Sequence, residues 1–293
     1  MQIVSVLKSE AEIKILDQLG VDVFLVQTEE FTRNQIAGFT IEEIQKISKV
    51  VHSFNKQIYI SINIMIHEDI VESLDLFLSK CESMNIDGFV IFDFSVFPLL
   101  QKHHLESLCI YQPGSMNTNI CDPWFFLKLG IKGVTISREI TLEELIEISG
   151  TFEKIQYSFV GHGYLEMFYS RRPLLTNYYK YNQMSPLPIK NDKGYFLKEE
   201  LRKEEEYPII EDKFGTTIFR SKKLSSYQEL GVISPYLTDF FMERVFMDDN
   251  EYYLAIEAYV KTEKQTEFFQ HFGEKYDSGF FYRKTGRSKE DSL

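Results

Sequence analysis

The chain has 293 residues, 44% of them hydrophobic and 26% charged, with a formal net charge of −12 and an isoelectric point near 5.1. That is enough apolar material for one large core, since a single α/β barrel takes about 250 residues. The acidity excludes a surface that coats nucleic acid indiscriminately and leaves only local basic patches such as Arg171-Arg172.

QIVSVL at the start has neither the length nor the basic flank of a signal peptide, and no apolar run approaches the ~20 residues of a membrane span. Cys81, Cys109 and Cys121 are scattered and odd in number, which suits reduced thiols better than a disulfide framework. The expectation is a soluble cytoplasmic protein with no membrane partner.

Short apolar runs alternate with amphipathic stretches through the first half. Strands are expected at 3–7, 21–26, 58–64, 88–92, 109–111, 133–136 and 155–160, with helices between them. Two helix starts carry the reciprocal capping pattern, Thr40 with Glu43 and Thr141 with Glu144. Strand and helix alternating at this spacing imply right-handed βαβ units. No G-x-G-x-x-G follows the first strand, so a closed barrel is favoured over an open dinucleotide-binding sheet.

Past Tyr181 the character changes. Residues 183–191 carry Pro186 and Pro188 and read as a linker. Segments 194–202 and 214–220 read as two strands flanking EEEYPIIEDKFG. Residues 232–241 are expected to give the eighth barrel strand, followed by helices at 251–261 and 265–276 and a frayed charged tail. The expected architecture is an α/β, TIM-like (β/α) barrel with an inserted β-hairpin region and C-terminal helices. Its parts are 1–182 as barrel core, 183–224 as insertion and 225–293 as closing strand, helices and tail, all in one structural unit.

Polar residues at the expected strand ends are Gln27, Asn63, Asp93, Gln112, Ser137-Arg138-Glu139 and His162. In a parallel barrel these ends converge on the face that carries chemistry. Each alone is as well read as a cap or a loop hydrogen bond. Arg138-Glu139 is an internal salt bridge or an anion-binding arginine held by a carboxylate, and Met116-Asn117-Thr118-Asn119 offers amides for a ligand or a cap for the next helix. His162, between Gly161 and Gly163 where the seventh strand is expected to break, is a buried turn histidine or a catalytic one. His67-Glu68 lacks a second histidine at metalloprotease spacing, and neither a G-x-S-x-G elbow nor a Cys-x-x-Cys pair occurs.

The succession FTRNQIAGFTIEEI, YISINIMIHED, IDGFVIFDFSV, PGSMNTN, LGIKGVTISREITLEEL and FVGHGYLEMFYSRRPLLTNY resembles the collagenase-like peptidases of unknown catalytic type, peptidase family U32. The likeness runs over residues 1 to 182, and SGFFYRKT near Ser278 is similar to the end of the short tRNA-hydroxylation members. The resemblance implies a barrel and oxygen-independent formation of 5-hydroxyuridine at the tRNA wobble position, with tRNA as partner and prephenate as a possible co-substrate. It also implies an iron–sulfur cluster in many members. Here Glu166 and Pro173 stand where two of the ligating cysteines would be, and no cysteine follows Cys121. The expectation is therefore no cluster in this chain, which acts alone without one or as the cysteine-poor partner of a cluster-bearing paralogue. A collagenase-like peptidase is the remaining alternative.

In that setting His162 and Glu139 are the catalytic candidates, His162 for proton transfer because its ordinary pKa lies near operating pH. Asn63, Asp93, Asn117 and Arg138 are expected to line the site, with Arg171 and Arg172 gripping an anionic group.

Overall fold

A computed structural model describes residues 1–185 and 194–283. In chain order the barrel half contains β1 (Gln2–Val6), α1 (Ile13–Leu19), β2 (Val23–Gln27), α2 (Ile41–Ser53), β3 (Gln57–Ile62) and α3 (Glu68–Cys81). It continues with β4 (Gly88–Ile91), α4 (Phe97–Lys102), β5 (Cys109–Tyr111), α5 (Cys121–Lys128), β6 (Gly133–Thr135), α6 (Leu142–Ser149) and β7 (Gln156–Gly163). Then follow β8 (Glu166–Ser170), α7 (Leu174–Tyr181), β9 (Tyr195–Leu197), β10 (Tyr207–Asp212), β11 (Gly215–Phe219), β12 (Lys223–Ser225) and α8 (Leu230–Ile233). The chain closes with β13 (Asp239–Met242), α9 (Asp249–Val260), α10 (Gln265–Phe272) and β14 (Tyr276–Asp277).

Strands β1 to β7 pair in parallel in sequence order, and β13 pairs with both β1 and β7, so eight strands close a barrel. These strands are buried on both faces, which is why they read as near-continuous β-branched and aromatic runs. Helix α2 lays Ile44, Ile47 and Val51 on the barrel, each burial contributing about 1.5–3 kcal/mol. Both expected capping boxes are formed, at Thr40 with Glu43 and at Thr141 with Glu144.

The barrel interior is filled in layers, with polar pins. Towards the strand starts the Tyr59 hydroxyl donates to Asp239 at 3.1 Å, and the Lys132 ammonium lies over the Tyr59 ring. Above them Thr135 and Ser158 share a hydrogen bond of 2.7 Å, and Gln112 donates to Thr135. The C-terminal end is left for side chains from the loops.

That end is covered by a second, antiparallel sheet in the order β8-β11-β10-β9. Three expectations change here. EEEYPIIEDKFG is not merely a connection between two strands, because its middle half forms β10, which turns at Lys213-Phe214 into β11. Of 232–241, only the end is strand; the first part forms α8 and a short turn, since Ser234-Pro235 cannot continue a ladder. The third is β7, which continues through Gly161-His162-Gly163, with a register shift at Gly161, instead of ending there. Residues 186–193 and the tail beyond 283, where a linker and fraying were expected, lie outside the described residues.

Candidate functional site

The covered mouth is organised by Arg33, in the loop after β2. Its backbone N–H donates to Asn63 Oδ1 at 2.8 Å, which ties the loop to the end of β3. Its guanidinium carbon lies 4.4 Å from the Phe92 ring centre and 4.2 Å from that of Tyr169, in the corner between a barrel ring and a covering-sheet ring set at right angles. Nη2 donates to Glu166 at 2.6 Å. The neighbouring Asn34, at positive φ, donates from its side chain to Glu166 and Thr217, and its backbone N–H donates to Asp212. This short loop thus helps latch the covering sheet to the barrel.

Arg138, after β6, reaches the same carboxylate from the other side. Its Nη2 donates to the Glu166 carbonyl at 2.6 Å and lies 3.9 Å from the Glu166 side chain. It crosses Gly114, where a Cβ would stand 3.3 Å from that nitrogen at a φ of +85°. Glu243, just past β13, completes the ring around a cavity of about 40 Å³ that Asn63, Gln112 and Thr135 also line. Asn63 and Arg138, expected at the site, are brought together here; Arg33, Glu166 and Glu243 were not foreseen.

Three N–H donors in this chamber are buried without a hydrogen-bond partner among the described residues: Arg33 Nε, Arg33 Nη1 and Arg138 Nε. The Arg33 side chain is only 2% exposed, so water does not satisfy it from outside. Burial pushes the Glu166 carboxyl up, but Arg33 and Arg138 outweigh that and hold it below its usual range. Glu243 has no such ion pair among the described residues: burial and the Glu166 charge push it up to about 7, against the pull of Arg138 and Arg33. Burial also draws the Arg138 guanidinium down from its usual value, opposed by Glu166 and Glu243. The arrangement can hold an oxyanion and exchange a proton near neutrality.

The remaining expected residues lie elsewhere. Asp93 spends both oxygens on the backbone N–H groups of Ile66 and Ser95, bracing two loops. Asn117 is buried at a φ of 67° and donates to the Thr135 carbonyl, so it shapes the loop after β5. Glu139 faces an outer cleft, not the chamber. Arg171 lies on the rim, 3.5 Å from Asp69, and the Arg172 side chain is exposed.

His162 is turned away from the mouth altogether. Val160 pairs with Phe241 and lines the chamber, but the next registered pair is His162 with Met242, so Gly161 is an extra residue in β7. The bulge reverses the alternation and sends the imidazole outward. There it is fully buried beneath α9, α10 and β14, 3.3 Å from both the Tyr259 and Tyr276 hydroxyls. Desolvation, with the Lys223 charge beside it, pulls its pKa down to about 3. A neutral, sealed imidazole packs the outer wall. A glycine is required at the bulge, because a Cβ at 161 would fall 2.0 Å from the Phe240 ring.

A second bulge serves the site. Ile218 pairs with Phe168 and Phe219 with Glu166, leaving Met167 as the extra residue in β8. Glu166 is thereby aimed down at the two arginines. Outside the chamber, and sharing Arg138 and Glu166 with it, opens a cleft of about 920 Å³ walled by Tyr164, Phe196, Tyr207 and Phe280. Its charges are mixed, with Arg220, Lys222 and Lys275 facing Glu204, Glu205 and Glu206.

No group of three or more His, Cys, Asp and Glu side chains among the described residues is arranged to hold a metal. Cys81 and Cys109 are buried in the core and Cys121 is exposed. Burial pushes the Cys81 thiol up to about 12 and raises Cys109 as well, the opposite of what a thiolate ligand needs. Among the described residues no helix is long and apolar enough to cross a membrane.

Fold and site define a TIM-like barrel whose mouth is a capped, arginine-lined chamber. The model of peptidase family U32 matches residues 9–241, and the chain belongs to that family. It is 25% identical to tRNA hydroxylation protein P2 of Bacillus subtilis (strain 168), over 94% of this chain and 96% of that one. It is also 25% identical to tRNA hydroxylation protein P of Escherichia coli (strain K12), over 64% of this chain but only 50% of that longer protein. Among solved structures, that of the U32 peptidase Mk0906 superposes with a TM-score of 0.52 at 13% identity, covering 83% of this chain and 92% of the other. The last likeness bears on the fold alone.

Proposed function

We propose that this chain takes part in hydroxylation of the tRNA wobble uridine, the oxygen-independent formation of 5-hydroxyuridine, and that the capped chamber is its working site. The observation that carries this reading is the end-to-end likeness to tRNA hydroxylation protein P2, whose length the chain spans almost entirely. The chamber supports it with two buried arginines and a carboxyl near neutrality, a setting for a small oxygenated co-substrate; prephenate is the candidate the family resemblance brings. The aromatic outer cleft is wide enough for a nucleotide, within the usual ~300–1,000 Å³ of ligand sites. Its mixed charge leaves stacking, rather than phosphate neutralisation, as the main source of affinity there.

Cys81 and Cys109 are too desolvated to bind a cluster, Cys121 alone cannot, and the place of one family ligand is taken by Glu166 in its ion pair with Arg33. We therefore read the chain as free of a thiolate-bound cluster, working without it or beside a cluster-bearing paralogue. Of the C-terminal phenylalanines that could offer a partner an apolar surface, Phe240, Phe241 and Phe268 are buried and Phe269 is exposed. Ile120, Trp124 and Phe125, around α5, are exposed and give the partner reading a surface. Peptide hydrolysis is disfavoured at the chamber: no Ser, Cys or His among the described residues lines it, Thr135 is engaged with Ser158, and the Glu166 oxygens are taken by Arg33 and Asn34.

Mass spectrometry of nucleosides from tRNA of a strain lacking this gene tests the reading. Loss of wobble 5-hydroxyuridine derivatives is expected, restored by the wild-type chain and not by Arg138→Met. Unchanged nucleosides in a strain also lacking every paralogue would overturn it.

A further inference from the structure

We propose that the chamber binds a carboxylate group between Arg33 and Arg138, and that Glu243 takes up a proton when it does. This deepens the reading above by naming the ligand chemistry of the same chamber, and it is testable without tRNA.

The first argument is the set of unmade hydrogen bonds. Arg33 Nε, Arg33 Nη1 and Arg138 Nε are buried with no acceptor among the described residues, a desolvation cost that a ligand oxygen would relieve. Phe92 and Tyr169, set at right angles to each other, both pack on the Arg33 guanidinium, so its fork is held before the ligand arrives. The cavity of about 40 Å³ admits a group the size of a carboxylate. Arg138 and Glu166 also line the outer cleft, which leaves room there for the rest of the molecule.

Charge then selects the anion. Around Glu243 stand Arg33 from the loop after β2, Arg138 from the loop after β6, Glu166 from β8 and Tyr252 from α9; Glu139 faces the outer cleft and the His162 ring on β7 points the other way. Glu166 neutralises one guanidinium. With Glu243 protonated the chamber is left with about one positive charge, which matches a monoanionic carboxylate and not a phosphate dianion. An ionised Glu243 would repel that carboxylate. Its own oxygens accept no hydrogen bond from a described residue, so once protonated it has a hydrogen to donate to the ligand. The proton comes from solvent and ends on the Glu243 carboxyl, and no other bond changes.

The test is titration of the folded, full-length chain with acetate and, separately, inorganic phosphate between about pH 6 and about pH 8.5. Thermal shift would report occupancy, and calorimetry in two buffers of different ionisation enthalpy would count protons. Acetate affinity is expected to fall about tenfold per pH unit above neutrality, with close to one proton taken up per acetate bound there. Glu243→Gln should bind acetate independently of pH without proton uptake, Arg138→Met should not bind it, and phosphate should bind more weakly. The proposal is overturned by pH-independent binding to the wild type, by a Gln variant that keeps the wild-type slope, by preference for phosphate, or by no saturable acetate binding. Should Glu243→Gln not fold, the wild-type proton count decides. A negative result here leaves the tRNA reading standing, because that rests on nucleosides; unchanged nucleosides leave acetate binding standing.

Discussion

Arg33 Nη2 lies 2.6 Å from Glu166 Oε2, and this single ion pair joins the loop after β2 to the strand that covers the barrel mouth. The two residues are 133 positions apart in the chain. Both are largely shielded from water, which makes the pair costly to break from one side. Arg33→Ala is expected to destabilise the fold by about 3–5 kcal/mol and to speed proteolysis of the covering sheet. Urea unfolding and limited digestion read these two effects. A loss under about 0.5 kcal/mol with unchanged digestion would mean that the latch lies elsewhere.

His162 gives a prediction with a definite sign. Its pKa is depressed from 6.5 to about 3 in the fold, so the unfolded chain binds the proton first as pH falls. Its contribution is present above pH 6.5 and is lost as pH falls towards about 3. Wild type should therefore lose about 2 kcal/mol more than His162→Gln between pH 7 and pH 5. Equal losses in the two proteins would show that the imidazole titrates freely.

Asp239 behaves in the opposite sense. Burial raises its pKa from 3.8 to about 6, although the Tyr59 hydroxyl and Lys132 pull it down. The folded state keeps a proton that the unfolded chain releases, so this contribution is present below pH 3.8 and lost as pH rises through about 6. Asp239→Asn should gain about 2–3 kcal/mol relative to wild type on going from pH 3.5 to pH 8. Thermal melts of the two proteins across that range are the check, and parallel curves would refute it.

Gly161→Ala should be among the most damaging small substitutions in the chain. The new methyl would meet the Phe240 ring at 2.0 Å, a distance no rotamer change of alanine can relieve. A loss of at least about 2–3 kcal/mol is expected. Phe240→Leu should cost less in the Ala background than in wild type, because the two positions share one space. Additive losses in denaturant midpoints would argue against the clash.

The sequence by itself determined the barrel. Alternating βα segments, the capping boxes at Thr40 and Thr141, and both-sides-buried strands such as QIYISI are local patterns that short-range physics makes legible. Strand-end reasoning also reached Asn63, Gln112 and Arg138, and would have reached Glu243 had the eighth strand been placed to Met242. Tertiary structure alone decided which side chains face the chamber. One extra residue at Gly161 turns His162 to the outer wall, and one at Met167 turns Glu166 to the arginines, because a bulge inverts an alternation of period two. Arg33 sits in a loop with no alternation to read, and its partners lie in the rings and carboxylate of distant strands.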